Sequence, residues 1–176
     1  EQWWTYIQEP GVRCVDETSY RVNGVNYWMW VATSNQVCVL FLAPSRSADE
    51  VHSLLGKDFQ GILSTDCWGA YNRQNAPHKQ KCLAHIGREL KALETSRFSE
   101  NKLFAQKVFP ILEQARQYYR DYHRGELTLD ALQRQRPLIE AQLQQVLDNP
   151  PPTGWASDSQ LLSNRFRRYW SDWFTF

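Results

Sequence analysis

The spacing of apolar and polar positions changes character partway along the chain. Over residues 12–18, 27–33 and 37–43 apolar side chains alternate with polar ones or cluster in short runs rich in Val, Trp, Tyr and Leu, which predicts strands. Asn23-Gly24, between "YRV" and "VNYWMWVAT", predicts a two-residue type I′ hairpin, and "SNQ" a second turn. Three consecutive antiparallel strands follow. "SADEVHSLLG" predicts a short helix opened by the capping box Ser47-x-x-Glu50 and closed at Gly56. "GILSTD" reads as a fourth strand ending at Asp66, and "KQKCLAH" as a fifth that leads into a helix through "IGRELKALE".

Beyond Ser96 the period is helical. Phe104, Val108, Ile111, Leu112, Ala115, Tyr118 and Tyr122 recur at helical spacing, and a turn at "HRGELT" leads to a second helix over 129–147. Pro110 and Pro137 are expected as kinks or boundaries. "NPPPTG" is a hard break before a last helix over 157–173, with Leu161, Leu162, Phe166, Tyr169, Trp170 and Trp173 on one face. The class is therefore α/β: three antiparallel strands, further strands with helices, and an α-helical insertion. The expected division is a core over 1–98, the insertion over 99–150, and a C-terminal helix over 151–176 that leads back to the core.

Composition narrows this picture. With 176 residues, 42% hydrophobic, and eight each of Trp, Tyr and Phe, the chain can bury a real core, which excludes a disordered segment. No apolar run approaches the roughly 18 to 20 residues that span a bilayer, and "EQWWTYIQEP" lacks the basic and apolar regions of a leader. A cytoplasmic protein is expected. Cys14, Cys38, Cys67 and Cys82 are scattered, and reduced, mostly buried thiols are expected rather than a disulfide framework. The net charge of +1 conceals an uneven spread: 4 basic and 8 acidic residues over 1–70, 11 and 5 over 71–124, 5 and 6 over 125–176. The basic middle offers a surface for an anionic partner, or simply a solvated helix face.

Asp16 and Glu17 interrupt an otherwise apolar strand, where carboxylates need a compensating partner, solvent or a metal ion. By periodicity alone, acids at strand ends read as solvated or turn-capping groups. The order of strands, however, resembles the ribonuclease-H-like fold, whose nucleases carry one acid on the first strand and another just after the fourth. Asp16 and Asp66 stand at those positions. Two carboxylates from neighbouring strand ends can share divalent ions, and Mg²⁺ suits oxygen ligands. Strand alternation sends Glu17 to the opposite face, so it is expected not to be a ligand but an acid that supports the site from behind or serves a structural role.

"VDETSYRVNGVNYWMWVA", "LSTDCWGAYN" and "KCLAHIGREL", in this order, resemble the DDE transposases of the insertion sequence 66 family, with their D-E-T, S/T-D-x-x-x-A-Y and C-x-x-H-x-x-R motifs. The resemblance runs over nearly the whole chain, including "RYWSDWFTF". It implies Asp16 and Asp66 as the first two catalytic acids and ligands of Mg²⁺ or Mn²⁺ in a two-metal site. It implies hydrolysis of DNA at transposon ends and strand transfer into target DNA. The third acid of the family belongs to an N-x-x-A-E-R motif that this sequence does not contain, so a catalytic-core fragment with a weak or incomplete metal site, inactive by itself, is expected. Asp158, Asp172 and Glu89 do not match that motif.

DNA-contacting residues follow from the same comparison and from charge: Lys79, Lys81, His85, Arg88 and Lys91 beside the acids, and Arg165, Arg167 and Arg168 on the last helix. The alternative for Arg88 is a surface salt bridge. Cys82 and His85, with Cys67 and His78 nearby, make a sparse zinc pattern, against which stand a buried thiol and a helix-start histidine. Trp28 and Trp30 are expected to be structural, whereas Trp3, Trp4 and Trp68 could also stack on bases. DNA and a homodimer are the partners consistent with this reading, with no membrane. The competing readings are a non-catalytic remnant that binds DNA or self-associates, and a two-acid nuclease of the same fold.

Overall fold

The computed structural model describes residues 2–175. They divide into two compact units, one running through Cys82 and taking in Thr175, the other spanning Leu83–Phe174. The first unit holds helix α1 (Gln2–Gln8), strands β1 (Val12–Val22), β2 (Val25–Thr33) and β3 (Cys38–Ala43), helix α2 (Ala48–Leu55), β4 (Ile62–Thr65), a 3₁₀ turn at Gly69–Arg73 and β5 (His78–Lys81). The sheet order is β3-β2-β1-β4-β5. β1, β2 and β3 are antiparallel, while β4 runs parallel to β1 and β5 parallel to β4. This is the ribonuclease-H-like arrangement that the order of strands led us to expect.

The hairpin forms where Asn23-Gly24 predicts it, because both residues take the positive φ that a type I′ turn requires, 48° and 83°. Its strands are longer than the apolar run suggests. β1 continues four residues past Thr18 through pairs such as Tyr20 with Tyr27 and Val22 with Val25, since the tight turn carries pairing outward regardless of burial. Helix α2 starts after Ser47 as expected, but the capping box is not made. Glu50 instead accepts a hydrogen bond from the Ser45 hydroxyl at 2.8 Å, which ties the helix to the loop before it.

Alternation gives the sheet two unlike faces. Val15, Trp30, Ala32, Val39, Ala43 and Leu63 point into a core closed by Ile7, Val51, Leu54, Leu55, Phe59 and Tyr71. Arg13 lies on the same face and is buried, yet its guanidinium donates to the carbonyls of Tyr6, Ile7, Glu9 and Val12 at 2.8 to 3.1 Å. It thereby satisfies the orphan carbonyls at the end of α1, where a cation also meets the negative end of the helix dipole. The start of β4 is held close to this point: a side chain at Gly61 would strike the Gly11 carbonyl and the Phe59 ring. The cysteines do not enter this core. Cys14 and Cys38 are exposed on the other face, and Cys67 and Cys82 half-buried, so the expectation of mostly buried thiols is corrected by strand parity.

The second unit is helical: α3 (Leu83–Leu93), α4 (Ser99–His123), α5 (Leu129–Asp148), α6 (Ser157–Arg168) and a 3₁₀ turn at Trp170–Asp172. α4 is central and packs against α3, α5 and α6. Its apolar stripe buries Phe104, Ala105, Val108, Ile111, Leu112 and Ala115. Pro110 and Pro137 sit inside α4 and α5 rather than ending them, because these faces are packed on both sides of each proline and tertiary burial outweighs the lost hydrogen bond. The last helix is shorter than the predicted 157–173. It stops at Arg168, and the chain folds back so that Trp173 packs 4.7 Å from Phe166 and donates its indole N–H to the Phe166 carbonyl at 3.0 Å. Leu161, placed on the apolar face by sequence, is exposed, since the buried stripe runs through Ser159, Leu162, Ser163 and Phe166.

Candidate active site

Asp16 lies within β1, and Asp66 directly follows β4, the parallel neighbour of β1 in the sheet. β1 and β4 pair in parallel from Val12 with Ile62 to Cys14 with Ser64, two residues short of Asp16 on the one strand and of Asp66 after the other. β4 ends at Thr65, so Asp66 stands at the mouth of the strand while β1 continues past it. Ends of parallel strands are where such sheets present chemistry, because the chain leaves the ladder there and side chains reach solvent. Asp66 Oδ1 accepts the backbone N–H of Trp68 at 2.8 Å, which fixes the turn, and Asp16 Oδ1 accepts the N–H of Glu17 at 3.0 Å.

The neighbouring acid takes the other face. Asp16 is level with Val31 and Leu40, on the exposed side, whereas Glu17 is level with Trp30 and Phe41, on the core side. The Glu17 side chain is wholly buried. It is not left alone there: it pairs with Arg46 and accepts a hydrogen bond from the Tyr71 hydroxyl. Burial pushes the Glu17 carboxyl above its usual range, against the lowering effect of its Tyr71 and Arg46 hydrogen bonds, and the charge of Asp66 adds to the upward push. The Tyr71 phenol is raised further, first by burial, then by Glu17, Asp66 and Asp16 in turn. Tyr71 therefore remains a donor.

Arg46 belongs to the loop between β3 and α2, a residue that motif reading passes over. Its Nη2 pairs with Glu17 and lies 3.8 Å from Asp66 Oδ2. The guanidinium packs 4.9 Å from the Trp28 ring centroid and 4.1 Å from that of Trp68. Trp30 is core, as its strand parity predicts, while Trp28 has this second contact. The signal available in the sequence was the Trp-x-Trp alternation of Trp28 and Trp30 together with an arginine in a short loop, but neither alone specifies a cation clamp.

The predicted basic residues fall in unlike settings. Lys81 is buried, its ammonium 3.1 Å from the Asp66 carbonyl oxygen, so its charge acts from inside the fold. Lys79 donates to the carbonyls of Tyr71 and Asn72 at 3.3 Å. In the helical unit, Arg88 and Lys91 are exposed on α3, and His85 is half-buried at its start. Arg165 pairs with Glu89 at 2.5 Å and Arg167 with Asp148 at 2.6 Å, the latter holding the Asp148 carboxyl below its usual range. Arg168 packs over Tyr169.

The donor set suits a metal only in part. Two carboxylates are the hard oxygen ligands that a divalent cation such as Mg²⁺ prefers. Among the described residues, however, no group of three or more His, Cys, Asp or Glu could hold an ion, which applies equally to the sparse zinc pattern around Cys82 and His85. No helix of the described residues is long and apolar enough to cross a membrane.

Comparison with known proteins places the chain. Residues 2–176 match the model of the Transposase IS66 family, and the chain belongs to that family. No curated protein matches it. Among solved structures, a simian T-cell lymphotropic virus intasome in complex with the PP2A regulatory subunit B56 gamma is similar at 15% identity and a TM-score of 0.34, over 54% of this chain and 44% of that one. The HTLV-2 integrase catalytic core domain in complex with magnesium, in its trimeric form, is similar at 18% identity and a TM-score of 0.30, over 48% of this chain and 70% of that one.

Proposed function

We propose that this member of the Transposase IS66 family is the catalytic core of a cytoplasmic DNA transposase, with Asp16 and Asp66 as its first two catalytic acids and as ligands of Mg²⁺ or Mn²⁺. The observation that carries the reading is the position of Asp16 on β1 and of Asp66 directly after β4, its parallel neighbour in the sheet. Ions of this kind, when bound in a pair, activate the attacking oxygen and stabilise the leaving oxygen of a phosphodiester. The residues of this chain do the rest. Asp66 is oriented by the Trp68 N–H, and Lys81 sets positive charge beneath it. Lys79, Arg88, Lys91 and Arg168 position DNA through its phosphates, with His85, Arg165 and Arg167 at the same task when DNA competes with their present partners.

With two carboxylates and no third in the described group, the site holds metal weakly, and the chain binds DNA without cutting it. A gel-shift salt series beside a nicking assay in Mn²⁺ tests both halves. Replacing Lys79, Arg88 and Lys91 together by Ala weakens binding uniformly across DNA sequences and flattens its salt dependence. Undiminished binding would remove these residues from the DNA path, and robust nicking that is lost in Asp66→Asn would show that the two acids suffice.

A further inference from the structure

The loop that carries Arg46 is fastened in an unusual way. Trp30 donates its indole N–H to the Ser45 carbonyl, and Trp68 donates its own to the Arg46 carbonyl, both at 3.2 Å. Two consecutive carbonyls are thus held by two tryptophans from different parts of the chain. The side chain is fixed as well, with Trp28 and Trp68 against the guanidinium. Three of the eight tryptophans are committed to placing one arginine. The buried Glu17 fixes its end, and Asp66 Oδ2 lies 3.8 Å from the same nitrogen.

A partner for Glu17 alone does not require this placement. A buried carboxylate is compensated by any well-made ion pair, and Tyr71 already supplies one hydrogen bond. What the clamp adds is a fixed positive charge beside Asp66, in a position that a flexible lysine could not hold as firmly. Arg suits such a site because its planar fork stacks on aromatic rings while its edge meets carboxylates. Resting on the reading of Asp66 as a metal ligand, we propose that Arg46 is a positioning residue that sets the charge of the acid pair: with Glu17 behind it, it determines how strongly Asp66 attracts a divalent cation. Arg46 opposes the cation, and Glu17 offsets Arg46.

Charge-setting makes opposite predictions for the two partners, whereas a purely structural pair would make the same prediction for both. The test is Mn²⁺ affinity, read from the electron paramagnetic resonance of free Mn²⁺ in a titration of the full chain at mildly alkaline pH. Arg46→Gln removes the opposing charge and binds Mn²⁺ about tenfold more tightly, since a unit charge near 4 Å from the ligand acts on both charges of the ion. Glu17→Gln leaves Arg46 uncompensated and weakens binding by a similar factor. The Glu17→Gln/Arg46→Gln double variant, which removes both charges and keeps near-isosteric side chains, returns towards the original affinity. Arg46→Lys keeps the charge but loses the stacked fork that fixes it, so its affinity falls between those of the wild type and Arg46→Gln.

Circular dichroism on each variant confirms the fold, and the double variant covers the case in which a single change unfolds the chain. Arg46→Gln and Glu17→Gln shifting in the same direction, or neither shifting, would overturn the inference while leaving Asp66 as a ligand. Mn²⁺ binding that ignores Asp66→Asn, or its absence in every variant including Arg46→Gln, would instead overturn the reading of Asp66 itself.

Discussion

The two faces of the sheet use the same strands for different ends. On one, Val15, Trp30, Ala32 and Val39 are buried, and two charged groups admitted among them are matched: Arg13 by four carbonyls, Glu17 by Arg46 and Tyr71. On the other, Val12, Tyr20, Val25, Leu40 and Leu42 are exposed, with Leu40 at 61%. Adjacent acids in sequence are divided between them. Glu17 is inside, where an ionised group persists only with partners, and Asp16 is half-buried on the opposite side. The contrast teaches that two carboxylates one position apart can take opposite faces of a sheet, one as a buried part of the framework and the other half-exposed.

Disrupting the buried face should cost most. Trp30→Ala empties the centre of the core and is expected to lower stability by about 4 kcal/mol, measured by chemical denaturation. Arg13→Met, which keeps the volume but abandons the carbonyls at the end of α1, should cost about 3 kcal/mol. A cost near zero would mean that water replaces the guanidinium. On the exposed face, Leu40→Ser should change stability by no more than about 0.5 kcal/mol. A loss comparable to that of Trp30→Ala would show that this face is covered in solution and would erase the contrast.

Glu17 sharpens the comparison through pH. Its carboxyl titrates above the ordinary value of 4.5 in the folded chain, chiefly through burial, so over the interval between these values the folded state holds more protons than the unfolded one. Stability from this group is present below 4.5 and is lost as pH rises through the folded value. The difference in melting temperature between the wild type and Glu17→Gln should therefore move against the wild type as pH rises through that interval. A difference that moves in its favour would place the carboxyl in a more solvated setting than the buried face provides.

Much of this division was legible in the sequence, because strand parity is a strict rule. The alternation of Asp16 and Glu17, the Asn23-Gly24 turn, and the arrival of Asp66 at the end of β4 all follow from period and turn chemistry. Parity also marked Trp30 as core, yet it was not applied to Cys14 and Cys38, which it sends outward with Asp16 and Leu40. Long-range capture was not legible. Arg13 reaches back to α1, Arg46 reaches across to Glu17 and Asp66, and Lys81 turns beneath Asp66, none of them at a spacing that marks a motif. Basic residues read as a surface from composition alone were divided by the fold into buried charges, ion pairs and exposed cations, because composition carries no facing direction. Of the two expectations for Pro110 and Pro137, kinks or boundaries, the second gives way because packing continues on both sides of each proline.

Asp16 of β1 and Asp66 at the end of β4 are proposed as one ligand pair, with Glu17 behind it. Calorimetric titration with Mn²⁺ of the wild type, Asp16→Asn and Asp66→Asn measures this directly. The account predicts weak binding to the wild type that is abolished by either substitution alone, since each removes half of the pair. Binding that survives both Asp16→Asn and Asp66→Asn would contradict it and locate the metal elsewhere in the chain.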